Sequence, residues 1–229
     1  MIGQQGTLAR AGGVLDARTR IIEAAEKLFA ESGYHAVSLR AIMADAQVNF
    51  SAAHYYFGSK KGLLKAVFDQ RLKEINPARE GRLRACLEQD GEPAPVEKVL
   101  EAYIAPALEV VARPGGRHFI RVAALAHMDP SAELRDLVGA AYDATARLFI
   151  SALRKSCPHL DERDLFWRLH CVYGAMVYVR ANNGRVARIL GMDDERLSDF
   201  GVREALDNVI PFLAAGFGVP TRGRPSAKS

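Results

Sequence analysis

Between Gly33 and Gly58 the chain has room for two short helices and the turn joining them, and for little else. Glycine takes the left-handed conformation that ends many helices, so both positions read as stops. Ahead of Gly33, Ile21, Ile22, Ala25, Leu28 and Phe29 recur at the one-face spacing of an amphipathic helix. That spacing predicts a first helix starting near Asp16, a good N-cap. Ser38 predicts the cap of a second helix, with Leu39, Ile42, Met43 and Ala46 on its inner side. Asn49 predicts the cap of a third, SAAHYYF, which Gly58 ends, and Ser59 the cap of a fourth through Leu63, Leu64, Val67, Phe68 and Leu72. Helices this short bury too little alone and must pack on one another. Helix, tight turn, helix is the layout of a helix-turn-helix.

The rest of the chain also reads as helix. Segment 96–112 is amphipathic, with Pro106 inside it as a kink, and RPGG at 113–116 is a break. Helices follow at 118–128, from Pro130–Ser131 to about Lys155, at 165–183 and at about 200–216. No alternating strand pattern and no repeat interrupts this series, so the fold class is all-α. The predicted organisation is a flexible arm at 1–15, a helix-turn-helix DNA-binding domain at 16–61, a larger all-helical domain at 62–217, and a disordered basic tail at 218–229.

Composition narrows the function class. A net charge of +4 is concentrated at the two ends, with Arg222, Arg224 and Lys228 in the tail. It suits a polyanion partner but is too modest for sequence-independent DNA packing. Cys86, Cys157 and Cys171 are odd in number and lack CxxC spacing, which speaks against a disulfide framework or zinc site and fits a reducing cytoplasm. No apolar run approaches the ~18 residues of a membrane span. There is no GxSxG, phosphate loop, metal-ligand pair or Cys/His constellation, so the chain is not expected to be an enzyme and no cofactor is expected.

On the third helix Ala53 and Phe57 should face inward with Val48, leaving Phe50, Ser51, His54 and Tyr55 outward. A surface of two aromatics, a histidine and a serine is an odd choice for plain solvent. Either it packs on another part of the protein, or it enters the major groove, where apolar atoms meet thymine methyls and hydroxyls meet base edges. The short helices, glycine stops and flanking Tyr56, Lys60 and Lys61 favour the groove. A cation at Lys60, in the first turn of the fourth helix, is unfavourable for that helix and would be explained by a phosphate. Arg40, Arg18 and Arg20 are further phosphate candidates.

The stretch 24–68 strongly resembles the TetR family's DNA-binding domain. AAEKLF, the Gly33–Tyr34 pair, SLRAIMADAQV and HYYFGSKKGLL carry the resemblance. It implies that Ser38 and Arg40 face the DNA backbone, that Asn49 through Tyr56 form the recognition helix, and that Lys60 clamps a phosphate. Two positions depart from the family pattern: Gln47, where glycine is usual, and Ala53, where a bulky apolar residue is usual.

LFWRLHCVYGAMVYV and VIPFLAAGF resemble the two helices of this family's four-helix dimer interface. Trp167, Tyr173, Met176, Val209, Phe212 and Leu213 would line it, and the alternative is that both helices are internal core. A looser resemblance, carried by HFIRVAAL, LFWRLH and VIPFLAAGF, is to the subgroup that senses fatty acids or acyl-CoA. It implies an apolar tunnel near Tyr103, Phe119, Leu125, Tyr142 and Phe149. Arg121 would then either hold a ligand carboxylate or form a salt bridge to Glu109, Glu133 or another helix. His127 and His170 read as core or interface histidines. The expected protein is a homodimeric repressor released from palindromic double-stranded DNA by a small molecule. The rival readings are a helical adaptor without DNA and an efflux regulator sensing a cationic or aromatic ligand.

Overall fold

The computed structural model describes residues 8–181, 184–193 and 201–220, side chains of 8–16 and 181 excepted. Among them there is no strand. Ten α-helices run in order: α1 Leu8–Ser32, α2 Leu39–Asp45, α3 Ser51–Phe57, α4 Lys60–Leu87, α5 Val96–Glu109, α6 Gly116–Met128, α7 Ala132–Ser156, α8 Glu162–Ala181, α9 Arg185–Ile189 and α10 Val202–Gly218. One tight helical turn, Val110–Ala112, follows α5. No helix is long and apolar enough to cross a membrane.

α1 begins at Leu8, well before the expected Asp16. Extending an existing helix is far easier than nucleating one. Leu8, Ala9, Arg10 and Ala11 are good helix formers, and Gly12 and Gly13 each cost only about 1 kcal/mol. Residues 1–7 of the expected arm and 221–229 of the expected tail lie outside the described residues.

The chain divides into two compact units, and the division does not fall at residue 61. One unit takes Met1–Asn76 and Val110–Asp143, the other Pro77–Glu109 and Ala144–Ser229. The boundary cuts through α4 and α7. Pro77 stands at the cut in α4, where its missing N–H leaves a carbonyl one turn earlier without its helical bond.

In the first unit, Ile21, Ile22 and Phe29 of α1 join Ile42 of α2, Leu63, Leu64, Val67 and Phe68 of α4, and Phe119 and Val122 of α6 in one core. Truncating such a residue to alanine costs ~2–5 kcal/mol. Within this core Glu26 lies almost wholly buried and receives both Arg71 nitrogens, at 2.7 and 2.8 Å. Burial pushes the Glu26 carboxyl above its ordinary value more strongly than Arg71 pulls it down. Gly115, at φ +73°, faces the pair so closely that any Cβ would strike Arg71 and Glu26. The RPGG break therefore needs glycine here for space as well as for backbone.

In the second unit Val99, Leu100 and Tyr103 of α5 pack with Phe149 and Leu153 of α7, Val172 of α8 and Ile210, Leu213 and Phe217 of α10. Arg79 is buried here. Its Nε donates to the Tyr103 carbonyl at 2.8 Å and its guanidinium lies 4.5 Å from the Tyr103 ring. The sequence held the signal for both buried charges. Glu26 follows Ile22 by four and precedes Phe29 by three. Arg79 follows Ile75 by four and precedes Leu83 by four.

Candidate nucleic-acid interface

Ser38 sits in extended backbone and its Oγ accepts from the Ala41 N–H at 3.1 Å, capping α2. Ile42 and Met43 then point into the core. The turn to α3 closes with two backbone bonds, Gln47 N to Ala44 O at 3.1 Å and Val48 N to Met43 O at 3.0 Å. This nested pair is a Schellman motif, whose penultimate residue must be left-handed. Gln47 accordingly has φ +53°, the single positive φ on a non-glycine among the described residues. A side chain held there costs about 1–2 kcal/mol relative to glycine.

α3 follows. Asn49 Oδ1 accepts from both the Ser51 N–H and the Ser51 hydroxyl, each at 3.1 Å, and so steadies the helix start. Ala53 is buried, and Ala52, Tyr56 and Phe57 are half-buried against the core. Phe50, Ser51, His54 and Tyr55 all face outward. Tyr55 is 82% exposed and Phe50 40%. These rings are ordered by one another: Phe50 meets His54 edge-on at 5.6 Å, Tyr55 meets Tyr56 at 5.0 Å, and Arg40 lies 5.7 Å over Phe50. His54 Nδ1 is 3.1 Å from the Gly58 carbonyl. The small Ala53 lets α3 sit close to its neighbours while its outer side stays open.

Lys60 departs from the expectation. Its ammonium turns inward, donating to the Val37 carbonyl at 2.7 Å and the His35 carbonyl at 3.3 Å, and lies 4.5 Å from the Tyr34 ring. Burial lowers its pKa. The reason is phase. Lys60 precedes Leu63 by three and Leu64 by four, so it shares their core-facing side. It pins the α1–α2 loop instead of reaching out for a phosphate. The neighbouring Lys61 is exposed, as are Arg18 and Arg40. Arg40 lies over Phe50 and Arg18 lies 5.7 Å from the Phe57 ring at the end of α3, while Lys61 stands in the first turn of α4.

The expected effector residues divide between the two units. Tyr103 and Phe149 stack in the second unit, centroids 4.2 Å apart and nearly parallel. Phe119 and Tyr142 meet Phe68 edge-on in the first. Arg121 is exposed on α6, because two residues after Phe119 is some 200° around a helix and therefore on the opposite side. Of the two carboxylates offered as its partners, Glu109 pairs with Arg82 and Glu133 accepts from Tyr34. Leu125 is half-open on the same side. His127 and His170 are exposed as well, not core.

Of the expected dimer residues, Trp167 (60%) and Phe212 (80%) are exposed, Tyr173 and Val209 are half-buried, and Met176 and Leu213 turn into their own unit's core. Phe166 and Tyr178 complete the exposed aromatic stripe on α8 instead. Arg168 joins the two helices. Its guanidinium donates to the carbonyls of Gly216 at 2.6 Å and Val219 at 2.7 Å, and to that of Phe217, closing the end of α10.

Residues 21–67 match the profile described as bacterial regulatory proteins, tetR family, and residues 101–216, half of the chain, match the tetracyclin repressor-like C-terminal domain. The chain belongs to the TetR family. This TetR-family chain is 36% identical over 53 residues to the HTH-type transcriptional regulator UidR of Escherichia coli, a stretch covering 23% of the chain and 27% of UidR. Across its length it shares the fold of the fatty acid degradation regulator FadR of Bacillus halodurans, with a TM-score of 0.62, 17% identity and coverage of 87% and 95% of the two chains. FadR of Bacillus subtilis, solved in complex with stearoyl-CoA, superposes with a TM-score of 0.56 and 16% identity, covering 86% of this chain and 98% of that one. The TetR-type regulator therefore carries its helix-turn-helix in α2 and α3.

Proposed function

We propose that this chain is a cytoplasmic repressor that binds a palindromic double-stranded operator as a homodimer and leaves it when a small molecule binds. The outward Phe50, Ser51, His54 and Tyr55 side of α3 carries the reading. It is a seven-residue helix whose exposed surface has apolar and hydrogen-bonding groups but no charge, with Arg18 and Arg40 against its rings and the exposed Lys61 four residues beyond its end. Apolar rings and hydroxyls suit base edges and thymine methyls, and bordering cations suit phosphates. The exposed Phe166, Trp167, Tyr178 and Phe212 supply the surface that two copies would cover about a two-fold axis, as a palindrome requires.

For the effector we propose a long-chain acid or its CoA thioester, by the parallel with the stearoyl-CoA complex of Bacillus subtilis FadR. The aromatic Tyr103–Phe149 stack is its anchor in the second unit. Such a ligand releases DNA only through its preference for the conformation that cannot bind both half-sites.

Fluorescence anisotropy with DNA from upstream of the chain's own coding sequence tests both parts. Tyr55→Ala is expected to change which base substitutions are tolerated, by about 1–3 kcal/mol at one position. Long-chain acyl-CoA is expected to lower the anisotropy of the complex. Sequence preference unchanged in Tyr55→Ala would remove α3 as the reader.

A further inference from the structure

The first compact unit contains a cavity of about 410 Å³ that no part of the operator or acyl-effector reading uses. Phe29, Leu64, Val122 and Leu134 give it apolar walls, and the loop Gly33–Ala36 closes one side. At its rim Leu125 is 40% exposed and Met128 71%, leaving apolar surface for an occupant to cover. The volume falls in the range of small-molecule sites, roughly 300–1,000 Å³.

Its charged lining is one-sided. No lysine or arginine borders it, and one carboxylate, Asp129, does. Asp129 Oδ1 accepts from the Ser131 N–H at 2.9 Å, while Oδ2 lies 2.8 Å from Nε2 of His35, which is well exposed. These bonds, those from Ser131 foremost, hold the carboxyl below its ordinary value. Asp129 is thus an anion beside an apolar wall, and the ring that meets it belongs to an exposed histidine that can swing into solvent.

We propose that this cavity binds a small amphipathic amine, its ring or short alkyl body against Phe29, Leu64, Val122 and Leu134 and its ammonium on Asp129 in place of His35. An anionic ligand would face Asp129 with no cation to offset it. A neutral one would have nothing to set against the contact between the carboxylate's outer oxygen and His35, and so would not displace it.

The site is also placed to act on the reading head. Its loop wall runs directly into Ser38, the cap of α2, and the carbonyls of His35 and Val37 in and beside that loop hold Lys60. An amine that displaces His35 loosens the clasp between this loop and Asp129 without touching the Tyr103–Phe149 stack.

Isothermal titration of the full-length protein, without DNA, tests the site with phenethylamine, its neutral counterpart phenylethanol and its anionic counterpart phenylpropionate. Saturable binding of the amine at one site per chain is expected, with phenylethanol about tenfold weaker and phenylpropionate undetectable. Asp129→Asn is expected to weaken the amine about tenfold, and His35→Ala to tighten it by removing the competitor. Leu125→Trp, at a half-open position that does not endanger folding, should block the cavity. Absence of saturable amine binding overturns the proposal, as does alcohol binding as tight as amine binding, or unchanged affinity in both Asp129→Asn and Leu125→Trp. None of these outcomes involves DNA or acyl-CoA, so they leave the operator reading to its own experiment.

Discussion

α3 and α8 both hold aromatic side chains out into solvent, and they differ in everything around those rings. α3 is seven residues long, exposes Ser51, His54 and Tyr55 together with its capping residue Phe50, and has Arg18 and Arg40 against its rings. α8 is twenty residues long and exposes Phe166, Trp167 and Tyr178, while Phe212 is exposed on α10, the helix it packs on. Exposure of an aromatic residue therefore does not name its partner. The width of the apolar surface and the charge at its edge do. A narrow strip with cations fits a groove lined by phosphates, and a broad strip fits a second protein surface.

The largest expected effect breaks the α8 side of this comparison. Phe212→Asp places a charge at the most exposed ring of the broad surface, and a two-fold interface would feel it twice. Loss of at least about 2–4 kcal/mol is expected from each hot-spot position, read as a monomer by light scattering and as lost operator binding. A dimer that persists would make α8 and α10 something other than the interface.

Next in size is the division of labour between adjacent lysines. Lys61→Ala is expected to weaken operator binding alike on all sequences and to lower the slope of log affinity against log salt by about one. Lys60→Ala is expected to act mainly on the fold. It leaves the Val37 and His35 carbonyls without their donor and lowers the melting temperature, a loss of about 1 kcal/mol. If Lys60→Ala instead reduced the salt slope at an unchanged melting temperature, the inward-turned geometry would not describe the DNA-bound head.

Gln47→Gly sharpens the α3 side. Removing the side chain from a left-handed position relieves about 1 kcal/mol, partly offset by the extra freedom of glycine in the unfolded chain. A modest rise in denaturant midpoint at constant slope is expected, with sequence preference unchanged.

The smallest effect concerns the loop that supports the head. Burial first, and Glu133 second, push the Tyr34 hydroxyl up to about 12. A phenol raised in the folded state stabilises the fold below its ordinary value near 10, and that contribution is lost as pH climbs through the range up to 12. Ultraviolet titration should show one tyrosine ionising late, and Glu133→Gln should bring it forward.

Much of this was legible in the sequence because short-range punctuation dominates. Ser38, Ser59, Gly33 and Gly58 act on their own turn, and no distant residue can overrule them cheaply. The outward set on α3 followed from a helical phase fixed by Ala53. Lys60 turns to the His35 and Val37 carbonyls because phase outweighs motif: counted from Leu63 and Leu64 it belongs to the inner side. Arg121 failed for the related reason that an arginine inside an apolar run can still face outward. Met176 and Leu213 are a different case. An α8 or α10 residue that is apolar satisfies core and interface equally well in a one-dimensional pattern, and only the packing of the two helices separates them. The Asp129–His35 contact joins residues ninety-four apart and leaves no periodic trace at all.

The outer side of α3 carries no formal charge, and on the proposed operator reading this would give the grip on DNA a particular temperament. Covering bare rings near room temperature releases ordered water and gains entropy, with little heat exchanged. A contact built that way strengthens as the solution warms through the ordinary growth range, and added salt loosens it less than it would a lysine-rich arm. Such a head would hold its site through swings in osmolarity and let go more readily in the cold.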